Sequence, residues 1–480
     1  MINLGVLALI TLGYFALLFG VATWAEWKGR RGKSIIDNPT VYTLSMAVFC
    51  TSWTFYGSVG RAATSGMDFL AVYLGPTLMA FTWWFLLRRM LRISKELKLV
   101  SIADFISSRY GNSVYLGAVV TLFALIGIMP YIALQIKAVS HTFTLLISPP
   151  SCPVEGGLFT LFGAVTVDTT LILTVILGVF SVLFGARTLD ASERHEGLVA
   201  AIAFESLVKL FAFLAVGIFV TYGLFDGFQD IFSQFLERFP DKEHLLLLSA
   251  PHSSYLTWAT FIVISMMAFM FLPRQFHILV VENTHERHIR EAMWRFPTYL
   301  FLINLFVIPI ALSGLLLNNG DASQADYFVV SLPLVADQTW LAVLAFVGGF
   351  SASAGMVMLS SIALSTMMLN NLLMPVILKI RALQGRDISR LLINLKRLCI
   401  FVAIFFGYMF YNMIGSSYAL VKIGFISFIG ATQFAPAVLA GLLWKRANRI
   451  GALTGLILGF IVWFYTLLVP SFVYSGWMGS

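Results

Sequence analysis

A run of about 20 apolar residues is long enough to cross the hydrocarbon of a bilayer. This chain repeats such runs almost end to end. Windows of that size mark twelve, at 2–24, 40–59, 68–88, 112–140, 167–187, 197–225, 256–281, 297–317, 339–371, 396–416, 419–443 and 450–470. Lipid offers the backbone no hydrogen bonds, so repeated spans fold as helices. The fold class expected is therefore all-α: a polytopic membrane protein with about 12 transmembrane helices. The longest segments between spans, 141–166, 226–255 and 318–338, are too short for a second domain. Composition decides one further point. Only 11% of residues are charged, against about a quarter in a soluble domain. That leaves too little polar surface for a water-soluble enzyme.

The placement of charge sets an orientation. Twenty-four of the 31 Lys and Arg fall in the alternate loops 25–39, 88–111, 187–195, 285–296, 379–397 and 445–449. The loops of the opposite side hold three: Arg61, Arg238 and Lys242. Basic loops stay in the cytoplasm, so the amino terminus is expected outside a bacterial inner membrane. This asymmetry accounts for the net charge of +8 without a nucleic-acid partner. Residues 2–24 lack a basic start and a small-residue cleavage site, and read as a spanning helix rather than a leader. Cys50 and Cys399 lie in apolar runs, and Cys152 lies in a Ser-Pro-Pro-Ser-Cys-Pro loop, so no disulfide framework or zinc spacing is present.

Polar groups inside lipid are costly and point to function. Glu205 and Lys209 stand four apart on one helix, spaced for a structural ion pair or a proton relay. Gln135 and Lys137 interrupt a long span, where Lys137 either handles a solute or snorkels to the interface. Pro273 removes a helix hydrogen bond beside Arg274. The second span carries Thr51, Ser52, Trp53 and Thr54, then Tyr56, Gly57 and Gly60. Hydroxyls, an indole and glycines at mid-membrane suit an interrupted helix, where unwound carbonyls and half-helix ends face ions and solutes. The ninth span adds Ser351 and Ser353 among glycines, suited to close packing or to oxygen ligation of a hard cation. No GxSxG, HExxH or P-loop spacing occurs, and nothing in the sequence calls for an enzyme.

Several runs together resemble the sodium:solute symporter family, in particular its branch fused to bacterial sensor histidine kinases. They are Cys50-Thr-Ser-Trp-Thr-Phe-Tyr-Gly57, Tyr73-Leu-Gly-Pro76, Ser101-Ile-Ala-Asp-Phe-Ile-Ser-Ser-Arg-Tyr-Gly111, Pro130-Tyr-Ile-Ala-Leu-Gln135, Leu272-Pro-Arg-Gln-Phe-His277 and Gln433-Phe-Ala-Pro436. The resemblance implies a leucine-transporter-like core of five helices followed by five in inverted topology. A first helix at 2–24 would precede repeats of about 40–225 and 256–443, with an extra helix at about 450–470. The broken first helix of each repeat would then be 40–59 and 256–281.

By the same resemblance an ion would sit against the carbonyls of Ala47 and Cys50 and hydroxyls in 351–356, Ser351 and Ser353 in one register. The position between the carbonyls, often acidic in relatives that use sodium, is Phe49. Sodium and proton coupling both stay open. Thr51, Trp53, Thr54, Tyr56, Gln135, Lys137 and Gln433 are the residues expected to face a small solute such as an amino acid or organic acid. The functional expectation is an ion-coupled secondary transporter. The alternative is a solute-sensing input domain of a histidine kinase, because kinase-fused relatives have a thirteenth span leading to signalling domains and this chain ends after twelve.

Overall fold

The computed structural model describes residues 2–147, 158–161, 165–185, 195–247, 255–380, 387–414 and 419–477. Cys152 and the basic residues Arg187, Arg194, Arg381 and Arg386 lie outside them.

The chain opens on α1 (Leu4–Arg30), whose amino end is capped by the Asn3 side chain. Next come α2 (Pro39–Met46), α3 (Ser58–Ser65), α4 (Ala71–Ala80), α5 (Leu86–Glu96), α6 (Ile102–Arg109) and the long α7 (Val114–Ile147). A two-stranded antiparallel hairpin, β1 (Leu158–Leu161) with β2 (Val165–Asp168), precedes α8 (Thr169–Gly185) and α9 (Glu196–Phe219). The second half runs α10 (Phe228–Arg238), α11 (Tyr255–Phe271), α12 (Pro273–Phe276), α13 (Arg287–Asn304), α14 (Val307–Leu317), α15 (Phe328–Val335) and α16 (Thr339–Met368). It closes with α17 (Met374–Ile377), α18 (Ser389–Ile414), α19 (Leu420–Thr432), α20 (Ala435–Leu443), α21 (Arg449–Trp463) and α22 (Val469–Tyr474).

Among the described residues, eight helical segments are long and apolar enough to cross a membrane, or nine with the bent pair α11–α12 counted as one span. The other expected spans are present among the described residues as shorter pieces, two of them for local reasons. The second unwinds after Phe49 and resumes at Trp53. The third is interrupted by a turn between Ala80 and Leu86. The fifth is α8, 17 residues long.

Burial separates centre from periphery. The most apolar window of the segment containing α16 is 83% buried, against 28% for α1 and 22% for the segment of α21 and α22. α16 is therefore the axis of the bundle, packed against α7, α9 and α18, while α1 and α21 present Leu9, Leu12, Ile450 and Leu458 to lipid. At the basic end, Glu286 accepts from Arg92 Nε at 2.6 Å and Arg88 Nε at 2.8 Å, tying α5 to the start of α13. Hydrogen bonds from Arg92 and Arg88 hold the Glu286 carboxyl at about 2, well below its ordinary value.

Small residues set the closest approaches, as expected where helices pack in lipid. A Cβ on Gly75 of α4 would lie 2.7 Å from Ile262 O and 2.8 Å from Met266 N of α11. Backbone atoms cannot swing aside, so Gly75→Ala should destabilise the protein by about 1–3 kcal/mol. Thermal unfolding in detergent checks this; an unchanged Tm would mean that α4 and α11 are not in such contact.

Candidate functional site

Two helices break, and the breaks face each other across a hydrogen bond from Gln275 to Met46 O. In the first, α2 tightens into a 3-10 turn at Ala47–Phe49, and Cys50 is extended at φ −76°, ψ 92°. The chain then re-enters through a π-helical turn, Trp53–Gly57. In the second, Leu272 leaves helical geometry at φ −58°, ψ 131°. Pro273 restarts the helix as α12, bent 52° from α11. Each break strands carbonyls and N–H groups in an apolar interior, where an unmet polar group costs several kcal/mol. The surrounding side chains are placed to meet them.

Lys209 on α9 does most of this. Its Nζ donates to Ala47 O at 2.6 Å and to Cys50 O at 2.7 Å. These are the two carbonyls expected to hold a coupling ion, and the ammonium stands where that ion would sit. Lys209 is thus hydrogen-bonded to backbone and makes no salt bridge with Glu205, its i−4 neighbour, although the two charges are close enough to interact. Glu205 is buried, and its Oε1 has no partner among the described residues. The hydroxyls expected as ion ligands are engaged elsewhere. Ser351 Oγ accepts from Tyr14 Oη at 2.7 Å and donates to Glu205 O at 3.1 Å. Ser353 Oγ donates to Gly349 O of its own helix at 3.0 Å.

Gln135 secures the other side of the first break. Its Oε1 accepts from the Ser52 N–H at 3.2 Å and from Ser52 Oγ at 2.6 Å. One turn earlier on α7, Tyr131 Oη lies 2.9 Å from Thr51 Oγ1. Trp53 is 3% exposed, its ring 4.5 Å from Phe428 and 5.0 Å from Phe425, so it plugs the bundle at the inner end of a cleft. Thr54 and Tyr56 are also buried, and Tyr56 Oη has no partner among the described residues. Lys137 lies two turns from Tyr131 on α7, towards Asp326, which accepts from the Leu420 N–H. Gln433 is not brought into this group. Its Nε2 donates to Ile429 O at 3.3 Å, and its Oε1 lies against Gly459 of α21.

The second break holds Arg274. The residue is 0% exposed, and Nε, Nη1 and Nη2 have no acceptor among the described residues. Its guanidinium lies over the Tyr131 ring, 4.4 Å from the centroid. Beside it, Gln275 Nε2 reaches Met46 O of the first broken helix at 3.4 Å. The sequence flagged Arg274 through Pro273, but the role of Tyr131 went unread. The one signal for it was its i, i+4 spacing to Gln135. Two clefts approach this centre from opposite ends. One narrow cleft reaches Trp53 past Arg61, Asp68 and Tyr73. The other, equally narrow, reaches Pro273 past Gly127, Ser427 and Phe434.

This architecture, with its broken helices around a buried polar centre, is that of a multi-pass membrane protein with a transporter-like fold. No family model matches the chain. It is 24% identical over 431 residues to the uncharacterized symporter YhjB of Bacillus subtilis (strain 168), covering 87% of this chain and 78% of that protein. It is 21% identical over 467 residues to the uncharacterized symporter YodF of the same organism, covering 95% and 84%. Among solved structures it resembles an outward-open, substrate-bound Na+-coupled sialic acid symporter, with a TM-score of 0.63 and 16% identity over 98% of this chain and 94% of that one. These relatives are symporters rather than enzymes, and they lend nothing to a sensor-kinase branch.

Removing the Lys209 ammonium leaves two buried carbonyls without their donor. Lys209→Met should therefore lower stability by about 2–5 kcal/mol, read as a fall in Tm in detergent. A Tm equal to that of the parent would show that the ammonium does not hold the first break together.

Proposed function

We propose that the chain is an ion-coupled secondary transporter of a small solute bearing a carboxylate, such as an amino acid or organic acid, at a bacterial inner membrane. One observation carries the substrate class. Arg274 is a fully buried guanidinium with five donors that meets the Tyr131 side chain but no carboxylate among the described residues. An unpaired buried charge of this kind calls for a partner of opposite sign. A carboxylate matches the planar fork with two parallel hydrogen bonds. Tyr131, under the guanidinium and bonded to Thr51, would orient it.

Coupling follows from Lys209. A charged ammonium supplies the positive centre that a bound cation would supply at the same carbonyls, so the proposed coupling ion is the proton that Lys209 carries. With the proton bound, the ammonium clamps α9 to the unwound segment after α2. Loss of the proton weakens both bonds and releases the segment. Alternating access then needs the Trp53 plug and the Pro273 bend to open in turn toward the two clefts.

The test is uptake into sealed proteoliposomes of radiolabelled amino acids and short mono- and dicarboxylates. The reading expects accumulation of at least one of them, and Arg274→Gln should weaken its binding about 10–100-fold. Equal affinity in Arg274→Gln would remove the carboxylate assignment. Binding without accumulation would contradict transport and favour a sensing role.

A further inference from the structure

At the basic end of the bundle, apart from the Lys209–Arg274 centre, two imidazoles converge on one carboxylate oxygen. His195 Nδ1 lies 2.8 Å and His277 Nε2 3.0 Å from Glu282 Oε1. Glu282 Oε2 accepts from the His195 N–H at 3.2 Å, which fixes the carboxylate in place. Ligand atoms of the three residues all lie within 4.8 Å of one another. Glu282 and His277 are buried, whereas the His195 side chain is 15% exposed and marks an entry path.

We propose that His195, His277 and Glu282 form a binding site for a divalent transition-metal ion, with zinc the best match. Two imidazole nitrogens and a carboxylate oxygen are donors for zinc and its neighbours, whereas calcium and magnesium require oxygen ligands. Zinc bonds of about 2.0–2.1 Å place tetrahedral ligand atoms about 3.3 Å apart. The two N···O spacings of 2.8 and 3.0 Å need to open by a few tenths of an ångström, and the two imidazole nitrogens, within 4.8 Å of each other, adjust to the same distance. The ion replaces the two N···O contacts with two N–metal bonds; each imidazole binds in its neutral form with its ring proton on the outer nitrogen, and a second ring proton, where present, leaves to solvent. A water on the His195 side completes the shell.

One group opposes the ion. Lys396 is buried and close enough to Glu282 for their charges to interact. It competes with the metal for the carboxylate, which gives the site a distinctive signature. The ion would bridge the residue before α9 to the π-helical turn His277–Val281 that follows α12. It would therefore pin together the two elements that carry Lys209 and Arg274.

The experiment is a zinc titration of the purified, chelator-stripped full chain in detergent, against a chromophoric zinc competitor. One ion should bind per chain. Glu282→Gln and His195→Ala should each weaken binding about tenfold or more, and Lys396→Gln should tighten it. His285→Ala, at the separate half-exposed His285–Asp37 contact, should leave it unchanged. Cobalt substitution should give visible bands of a four- or five-coordinate N/O site. Because Glu282 is buried, gel filtration confirms each variant's fold, and partly exposed His195 supplies an independent arm. Absence of saturable binding, or zinc affinity equal to the parent in His195→Ala and Glu282→Gln, would overturn the proposal.

Discussion

The bond pair from Lys209 Nζ to Ala47 O and Cys50 O is the interaction on which the rest of the centre depends. A helix cannot be opened inside lipid unless the released backbone groups find partners. Here the partners come from two helices far apart in sequence. α9 sends an ammonium to the carbonyl side, and α7 sends Gln135 to the N–H side at Ser52. The gap so held open leaves room for Tyr131 and, over it, the buried guanidinium of Arg274. Lys209 and Arg274 place two basic groups in one dry centre whose buried carboxyl, Glu205, lies beside Lys209, so Arg274 is left without an anion. The polar residues of this protein therefore concentrate where its helices are weakest.

Much of this was legible in the sequence. The spans were read from apolar length alone, because lipid permits few alternatives to a helix. The two breaks were read from the hydroxyl, indole and glycine cluster after Cys50 and from Pro273. Both are local signals that change backbone geometry where they stand. Spans two and three came out as shorter pieces, because hydropathy windows average across the unwound residues and turns that divide them.

What was not legible was partnership. Glu205 and Lys209 are four residues apart, so spacing alone suggests an ion pair. The lysine instead reaches a backbone segment more than 150 residues earlier in the chain. Ser351 faces Tyr14 and Glu205 for a similar reason: helix rotation depends on every neighbour at once, which no single span reveals. Gln433 stands in one of the runs that carry the family resemblance yet turns to its own helix and to Gly459. His195, His277 and Glu282 escaped notice because they are dispersed in sequence and converge only in the fold.

The account turns on one claim: the positive charge at the Ala47 and Cys50 carbonyls belongs to the protein and not to a sodium ion. Its most direct test is a pair of imposed gradients across proteoliposomes containing a trapped pH dye, with a transported carboxylate outside. An inward proton gradient in sodium-free buffer should drive accumulation and acidify the lumen. Accumulation that requires a sodium gradient and leaves lumenal pH unchanged would contradict it.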